Sequence, residues 1–166
     1  MEQQYLTPER KAYYLRDFNE NVLTEAHEFW KLGSASTALL TALNAKPTIQ
    51  TLYSRYYPES SKRSFDKDSY LTLAYAKELE LPLFRDVLPA LLQAYKSQDY
   101  VGLYYYHQPP KDNANYRDGE SNFKMGCITD PDYFRINHVC IYFDHWQDDQ
   151  HASFWSDLKE RLLALS

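Results

Sequence analysis

The sequence predicts a predominantly helical α+β fold, and three features of the residue pattern lead to this prediction. Over most of the first 95 residues, apolar side chains recur at spacings of three and four, which is the period of a helix with one buried face. Between residues 100 and 144, aromatic and β-branched residues become frequent, as they are in strands. The last segment returns to helical spacing. We therefore expect an N-terminal body of about five helices, a small antiparallel sheet within 100–144 and a C-terminal helix. If residues 100–106 are helical, the fold is all-α instead.

The first helix is predicted from about residue 8 to residue 31. Thr7 offers a capping hydroxyl, Pro8 suits the first helical position, and Glu9 places an acid in the first turn. An apolar stripe at helical spacing follows, formed by Leu15, Phe18, Val22, Ala26 and Phe29. Gly33 lies just beyond this segment and favours its termination there.

Two shorter helices are predicted next. The second helix begins at Ser34 or Ser36 and ends before Pro47, because the residue before a proline disfavours the helical conformation. The third helix ends before Pro58 for the same reason. Its apolar side is formed by Ile49, Leu52, Tyr53 and Tyr56.

A polar loop over residues 58–68 separates these helices from the next pair. The fourth helix is begun by Asp66 or Asp68, and its apolar spacing comes from Tyr70, Leu71 and Ala74. The fifth follows Pro82 and extends to about residue 95. Pro89 lies inside it, so this helix either bends there or begins just before that proline.

Strand patterns appear in the last third of the chain. Residues 100–106 are rich in tyrosine, residues 107–122 form a polar loop, and Phe123 to Ile128 can form a strand. Residues 137–144 give the clearest strand, because apolar and polar residues alternate there. Ser153 can cap the final helix, whose apolar residues are Phe154, Trp155, Leu158, Leu162 and Leu163.

Composition excludes several classes of protein. The chain has 166 residues, 16 of them tyrosine, and a net charge of −5. Its length suits one domain over residues 1–166, and its aromatic content opposes disorder. The sequence contains no long apolar run and no secretory leader, so we predict a cytoplasmic protein with reduced cysteines and no membrane association. An acidic chain is also unlike general nucleic-acid binders, which are basic.

Glycine is scarce, and this opposes nucleotide-binding chemistry. The chain has four glycines, at positions 33, 102, 119 and 126. None belongs to a phosphate-binding loop, in which glycine lets the backbone approach the ligand closely. The sequence also lacks the GxSxG, HExxH and calcium-loop patterns.

The cysteines and histidines suggest two kinds of site, a metal site and a catalytic site with a cysteine nucleophile. His138, Cys140 and Asp144 share one face of the predicted strand, and their side chains are of the types that bind zinc. Their spacing lacks the paired ligands of zinc motifs, so we predict neither a metal nor a cofactor. Alternatively, Cys127 is a nucleophile with His138 or His145 as its base. Ordinary packing of both cysteines is the simpler interpretation.

Negative charge is concentrated in one window of the chain. From Asp112 to Asp149 there are eight acids and three bases, so this window carries the whole net charge of −5. Tyrosines precede and interrupt it, and tyrosine is frequent in protein interfaces. An acidic, tyrosine-rich surface favours binding to a basic protein and steers its association.

These features predict a non-enzymatic binding module. Its most specific form is an immunity- or antitoxin-type inhibitor that masks the basic active site of a toxin such as a nuclease. A small enzyme with a Cys/His/Asp site and a helical scaffold subunit are the alternatives. The residues predicted to bind the partner are Tyr104, Tyr105, Tyr106, Tyr116, Asp118, Glu120, Asp130, Asp132, Asp144, Asp148 and Asp149.

Overall fold

Helices and an antiparallel sheet occur together in a computed structural model of the chain. It describes residues 5–23, 33–52, 54–62, 69–95, 102–108, 136–145 and 147–165. The α+β class predicted from the sequence is confirmed. The all-α alternative is wrong, because residues 102–108 form a strand.

The sheet has four strands in the order β1-β2-β4-β3, and every neighbouring pair is antiparallel. The strands are β1 (Ile49–Thr51), β2 (Tyr70–Tyr75), β3 (Gly102–Gln108) and β4 (His138–Asp144). The prediction of a strand over 137–144 is confirmed by β4. Its central place in the sheet explains why the first four residues of β4 are all buried.

Two of the strands lie where the sequence predicts helices, so the sheet is not confined to 100–144. The third and fourth predicted helices are wrong at β1 and β2. In β2 the side chains of Leu71, Leu73 and Tyr75 all enter the main core. Residues at this spacing share one face of a strand but point to different sides of a helix. A strand buries all three side chains in the same core, and a helix does not. This burial outweighs the helical spacing of Tyr70, Leu71 and Ala74 on which the prediction rests.

Four α-helices occur within the described ranges, and three of them, instead of the five predicted, precede β3. They are α1 (Pro8–Asp17), α2 (Ser34–Asn44), α3 (Leu88–Tyr95) and α4 (Asp148–Ala164). Thr7 caps α1 as predicted, since its hydroxyl accepts a hydrogen bond from the Arg10 N–H at 3.2 Å. A π-helical turn, Phe18–Val22, continues α1. The predicted cap of the last helix at Ser153 is wrong, because the N-cap residue of α4 is Gln147, six residues earlier, and Gln147 makes no side-chain capping bond.

Pro89 is accommodated inside a continuous helical stretch, so that helix does not begin beside it. A 3₁₀ turn, Lys77–Leu79, leads into a π-helical turn, Pro82–Val87, and then into α3. The Leu88 N–H bonds to the Leu83 carbonyl five residues back. In a regular α-helix the ring of Pro89 clashes with the carbonyl four residues earlier, and a wider turn before the proline relieves that contact.

The main core lies between the sheet and the layer formed by α2, α3 and α4. Its fully buried members include Leu43, Leu73, Leu88, Ile141, Phe143, Phe154 and Leu158. A smaller cluster forms where α1 meets the sheet, around Leu6, Tyr14, Leu52, Ala74 and Ile136. α1 also contacts β1. Packing in the main core therefore fixes the position of α4 relative to β4. The first turn of α4 begins only four residues after the last residue of β4.

Lys11 joins α1 to its neighbours through a buried polar network. Its ammonium group donates to the Asn44 carbonyl at 2.8 Å, to the Ile49 carbonyl at 2.6 Å and to the Gln50 side-chain oxygen at 2.9 Å. The Asn44 side chain in turn exchanges two hydrogen bonds with Thr51. Since all three acceptors of Lys11 are neutral, this contact is not an ion pair.

Several sequence predictions concern residues outside the described ranges. They are the part of the first helix over 24–31, most of the loop over 107–122 and the possible strand from Phe123 to Ile128. Within the residues that the structure describes, no helix combines the length and the apolar character needed to cross a bilayer.

Candidate tyrosine and aspartate binding surface

A row of three tyrosines crosses the sheet near one end. The strand register places Tyr70 of β2 and Tyr104 of β3 on either side of Tyr142 of β4. Residues paired in this way lie on the same face of an antiparallel sheet. We call these three residues the tyrosine row. Tyr104 belongs to the predicted partner-binding set, whereas Tyr70 and Tyr142 do not.

Two members of the tyrosine row are in direct contact. The rings of Tyr70 and Tyr142 have centroids 5.5 Å apart and planes inclined by 35°. Both side chains are half-buried, so each ring keeps part of its surface accessible. Arg55 extends the row beyond β2, since its backbone exchanges two hydrogen bonds of 2.9 Å with Tyr70.

The other predicted tyrosines of β3 take adjacent register positions. Tyr105 pairs with Ile141, and Tyr106 pairs with Cys140. Successive strand residues lie on opposite faces, so Tyr105 is on the face of Ile141 and Tyr106 is on the face of the tyrosine row.

Three of the predicted aspartates lie where β4 ends and α4 begins. The Asp144 side chain is 47% exposed, and Asp148 and Asp149 are exposed in the first turn of α4. Asp148 accepts a hydrogen bond from the Ser60 N–H at 2.8 Å. Acids in the first turn also stabilise a helix through its dipole. We call Asp144, Asp148 and Asp149 the acidic cluster.

A histidine and a tryptophan lie directly beneath the acidic cluster. His151 is fully buried, and its Nε2 accepts a hydrogen bond from the Trp155 indole N–H at 3.2 Å. The same nitrogen lies 4.0 Å from the Asp144 Oδ1. Tyr56 stacks on the imidazole with the ring planes 2° apart. These contacts connect a charged surface residue to the aromatic part of the core.

His138, Cys140 and His145 of the predicted Cys/His/Asp site each make a hydrogen bond to a residue outside that site. His138 Nδ1 donates to the Ile136 carbonyl at 2.8 Å, and the Cys140 sulfur accepts from the Thr72 hydroxyl at 3.1 Å. His145 Nδ1 accepts from the Gln147 N–H at 3.0 Å. His138, Cys140 and His145 are all buried. Among the residues that the structure describes, no three His, Cys, Asp or Glu side chains are close enough together to hold a metal ion.

Some predicted site residues lie outside the described ranges. They are Tyr116, Asp118, Glu120, Asp130 and Asp132 of the partner-binding set, and Cys127 of the alternative enzyme site. Their assignment to the binding surface stays a prediction.

An open groove of about 600 Å³ lies at the opposite end of the sheet, next to the start of β1. It is lined by the start of α1, by Pro47 and Thr48, and by residues 76–78. Two cations, Arg10 and Lys77, face it together with Glu78. Among the predicted partner-binding residues that the structure describes, none lines this groove.

Four contributors to the surface, Tyr70, Tyr142, His151 and Trp155, are not among the predicted partner-binding residues. Tyr70 is missed because it is assigned to a helix, although the alternation of residues 70–75 was a signal for a strand. His151 and Trp155 are four residues apart, so on a helix they are neighbours. That spacing could have revealed their contact, but no local pattern shows that Asp144 reaches the same imidazole.

Compared with protein-family models, with curated proteins and with solved structures, the chain gives no match.

Proposed function

We propose that the chain is a non-enzymatic protein-binding module that recognises a basic protein through the acidic cluster and the tyrosine row. In its most specific form it is an immunity- or antitoxin-type inhibitor, which covers the cationic active site of a toxin such as a nuclease. The observation that carries this proposal is that exposed carboxylates lie where β4 ends and α4 begins, and that Asp144 is two residues along β4 from Tyr142, one of two partly exposed, contacting tyrosine rings.

The acidic cluster supports an electrostatic role. Asp148 and Asp149 begin a helix, and Asp144 ends a central strand, so their carboxylates are attached to ordered backbone. Charges held in place before binding attract an oppositely charged partner and align it without a large entropic cost. Such charges change the association rate more than the dissociation rate.

The tyrosine row supports a second, apolar part of the interface. Tyr70 and Tyr142 restrict each other by ring contact. A tyrosine that is ordered before binding loses little entropy, buries a large area and keeps a hydroxyl for hydrogen bonding. The guanidinium of a partner arginine can also stack on such a ring. A basic protein segment is therefore complementary to both parts of the surface.

Two of the three charges of the acidic cluster can be removed while the hydrogen bond from the Ser60 N–H is kept. In D148N/D149N, the new amide at position 148 still offers an oxygen to the Ser60 N–H. The variant E78Q/E160Q changes net charge equally at two other exposed positions. With the full-length chain as bait, a basic protein should be recovered from a lysate of the source cells. Its association with D148N/D149N should be about two- to tenfold slower than with wild type.

The control variant shows whether the association rate depends on the charges of the acidic cluster or only on the net charge of the chain. E78Q/E160Q should associate at nearly the wild-type rate, and salt should slow the wild type more than D148N/D149N. Equal rates for wild type and D148N/D149N, or recovery of only the chain itself in a salt-indifferent oligomer, would contradict the proposal. The latter result would favour the scaffold alternative.

A further inference from the structure

We propose that His151 and Asp144 form a pH-sensitive switch beneath the acidic cluster. In this switch, proton uptake by the imidazole replaces the hydrogen bond from Trp155 with an ion pair to Asp144. The two arrangements exclude each other because they use the same ring nitrogen. The carboxylate that responds is one of the three that define the acidic cluster.

The observed geometry is that of the neutral imidazole. Nε2 accepts from the Trp155 indole N–H at 3.2 Å, so this nitrogen uses a lone pair and the ring proton is on Nδ1. A proton added to Nε2 occupies that lone pair, and the indole N–H then loses its acceptor. The Asp144 Oδ1, 4.0 Å away, is an acceptor for the new N–H after a small movement.

Charged and titratable groups around His151 mostly favour the protonated ring. Asp144 faces it from β4, and Asp148 belongs to the first turn of its own helix. Tyr56 stacks on it from the segment after β1, and the face of a tyrosine ring attracts a cation. The other charged and titratable groups on these elements are Arg55, Tyr57 and Glu59 beside Tyr56, His138, Cys140 and Tyr142 on β4 with His145 just after it, and Asp149, Asp157, Lys159, Glu160 and Arg161 on α4.

Two effects oppose protonation and keep the switch reversible. His151 is fully buried, and burial disfavours the charged imidazole. It also lies near the N-terminus of α4, where the helix dipole is unfavourable to a cation. The packed helices α2 and α3 contain no Asp, Glu, Lys, Arg or His. The negative charge of Asp144 opposes the effects of burial and of the helix dipole on the imidazole. Removing that charge is therefore the most direct test of whether His151 can be protonated.

The consequence for binding rests on the proposed function. When the imidazolium pairs with Asp144, one carboxylate of the acidic cluster is compensated and turned towards α4. The surface then presents less negative charge to a basic partner. Acidic conditions should release the partner, and neutral conditions should restore binding.

The switch can be tested in the free, full-length protein by NMR. The indole N–H resonance of Trp155, assigned by its loss in W155F, is followed from about pH 8 to about pH 4.5, the range around the ordinary histidine pKa. It should shift in one titration step, and H151Q should abolish that step. D144N should move the midpoint down by about one pH unit, because a carboxylate at this distance favours the charged imidazole.

D157N is the matched control, since Asp157 lies on the same helix and pairs with Arg161 at 2.9 Å. Its midpoint should equal that of the wild type. The absence of a titration step in the folded wild type, or an equal midpoint in D144N and wild type, would overturn the switch. The wild-type titration alone decides the matter if D144N or H151Q does not fold.

Failure of the switch and failure of the proposed function give different results. The probe for binding is the basic protein recovered with the wild-type chain. Between about pH 7.5 and about pH 5.5, the wild type should lose at least about threefold more affinity than H151Q. A flat NMR titration with normal neutral-pH binding contradicts only the switch. A clear titration with no basic partner at either pH contradicts only the proposed function.

Discussion

At the scale of single residues, Lys11 holds a charge in a place with little access to water. Only 7% of its surface is exposed, and the oxygens that receive its hydrogen bonds are neutral. Burial therefore lowers the pKa of Lys11 from 10.5 to about 8. A buried polar group of this kind stabilises one arrangement of α1, α2 and β1, because any other leaves the ammonium without partners.

The lowered pKa of Lys11 predicts how stability depends on pH. Between its folded pKa of about 8 and its unfolded value of 10.5, the unfolded chain binds more protons than the folded one. The free energy of unfolding should therefore rise with pH in this window. We expect the wild type to gain about 2 kcal/mol relative to K11M between about pH 7.5 and about pH 9.5, measured by urea unfolding.

Tyrosine ionisation limits the upper end of that experiment. Burial raises the pKa of Tyr75, and the charge of Glu80 and the nearby Tyr5 add to the shift. The unfolded chain then loses tyrosine protons first above about pH 10, which reverses the trend. A wild-type curve parallel to that of K11M below this range would show that Lys11 retains an ordinary pKa.

At the scale of elements, the contact between Tyr70 and Tyr142 joins the two central strands on the face of the tyrosine row. Aromatic cross-strand pairs stabilise a sheet beyond the area that each ring buries. A double-mutant cycle of Y70A and Y142A should give a coupling energy of about 0.5–1 kcal/mol in urea unfolding.

A pair on different faces of the sheet provides the control for this cycle. Tyr95 packs against Phe143 and Phe154 in the main core, so Y70A and Y95A should be additive within about 0.5 kcal/mol. Equal coupling in the two cycles would mean that the stabilisation does not come from the contact between Tyr70 and Tyr142.

The elements differ in how far their local patterns predict them. β4 was predicted because its alternation continues over seven residues, and α1 because Thr7 and Pro8 mark its start. β1 and β2 were missed because short apolar runs fit either period, and pairing with a distant strand decides between them. The start of α4 was missed because Gln147 makes no side-chain capping bond.

The site residues also differ in whether the local sequence or the packing of distant segments reveals them. Asp144, Asp148 and Asp149 were found as members of the acidic window from Asp112 to Asp149, a feature that the local sequence contains. The tyrosine row depends on the register of three strands, and the contact between Asp144 and His151 depends on the packing of α4 against β4. Sequence spacing alone contains neither relation.

At the scale of the whole molecule, the two ends of the sheet differ in charge. The acidic cluster lies at one end, and two cations, Arg10 and Lys77, line the groove at the other with a single acid, Glu78. The window from Asp112 to Asp149 carries the whole net charge of −5. A molecule with this asymmetry is oriented in the field of a basic partner before contact. The acidic end is therefore the surface that should meet the partner first.

Hydrogen exchange of the chain, free and bound to its basic partner, tests the location of binding most directly. The first amides of α4 have no acceptors within the helix, so a partner that covers the acidic cluster should change their exchange strongly. We predict slower exchange over residues 142–150 and 102–108, with little change in α1. Slowing confined to α1 and the groove, with residues 142–150 unchanged, would contradict the proposed binding surface.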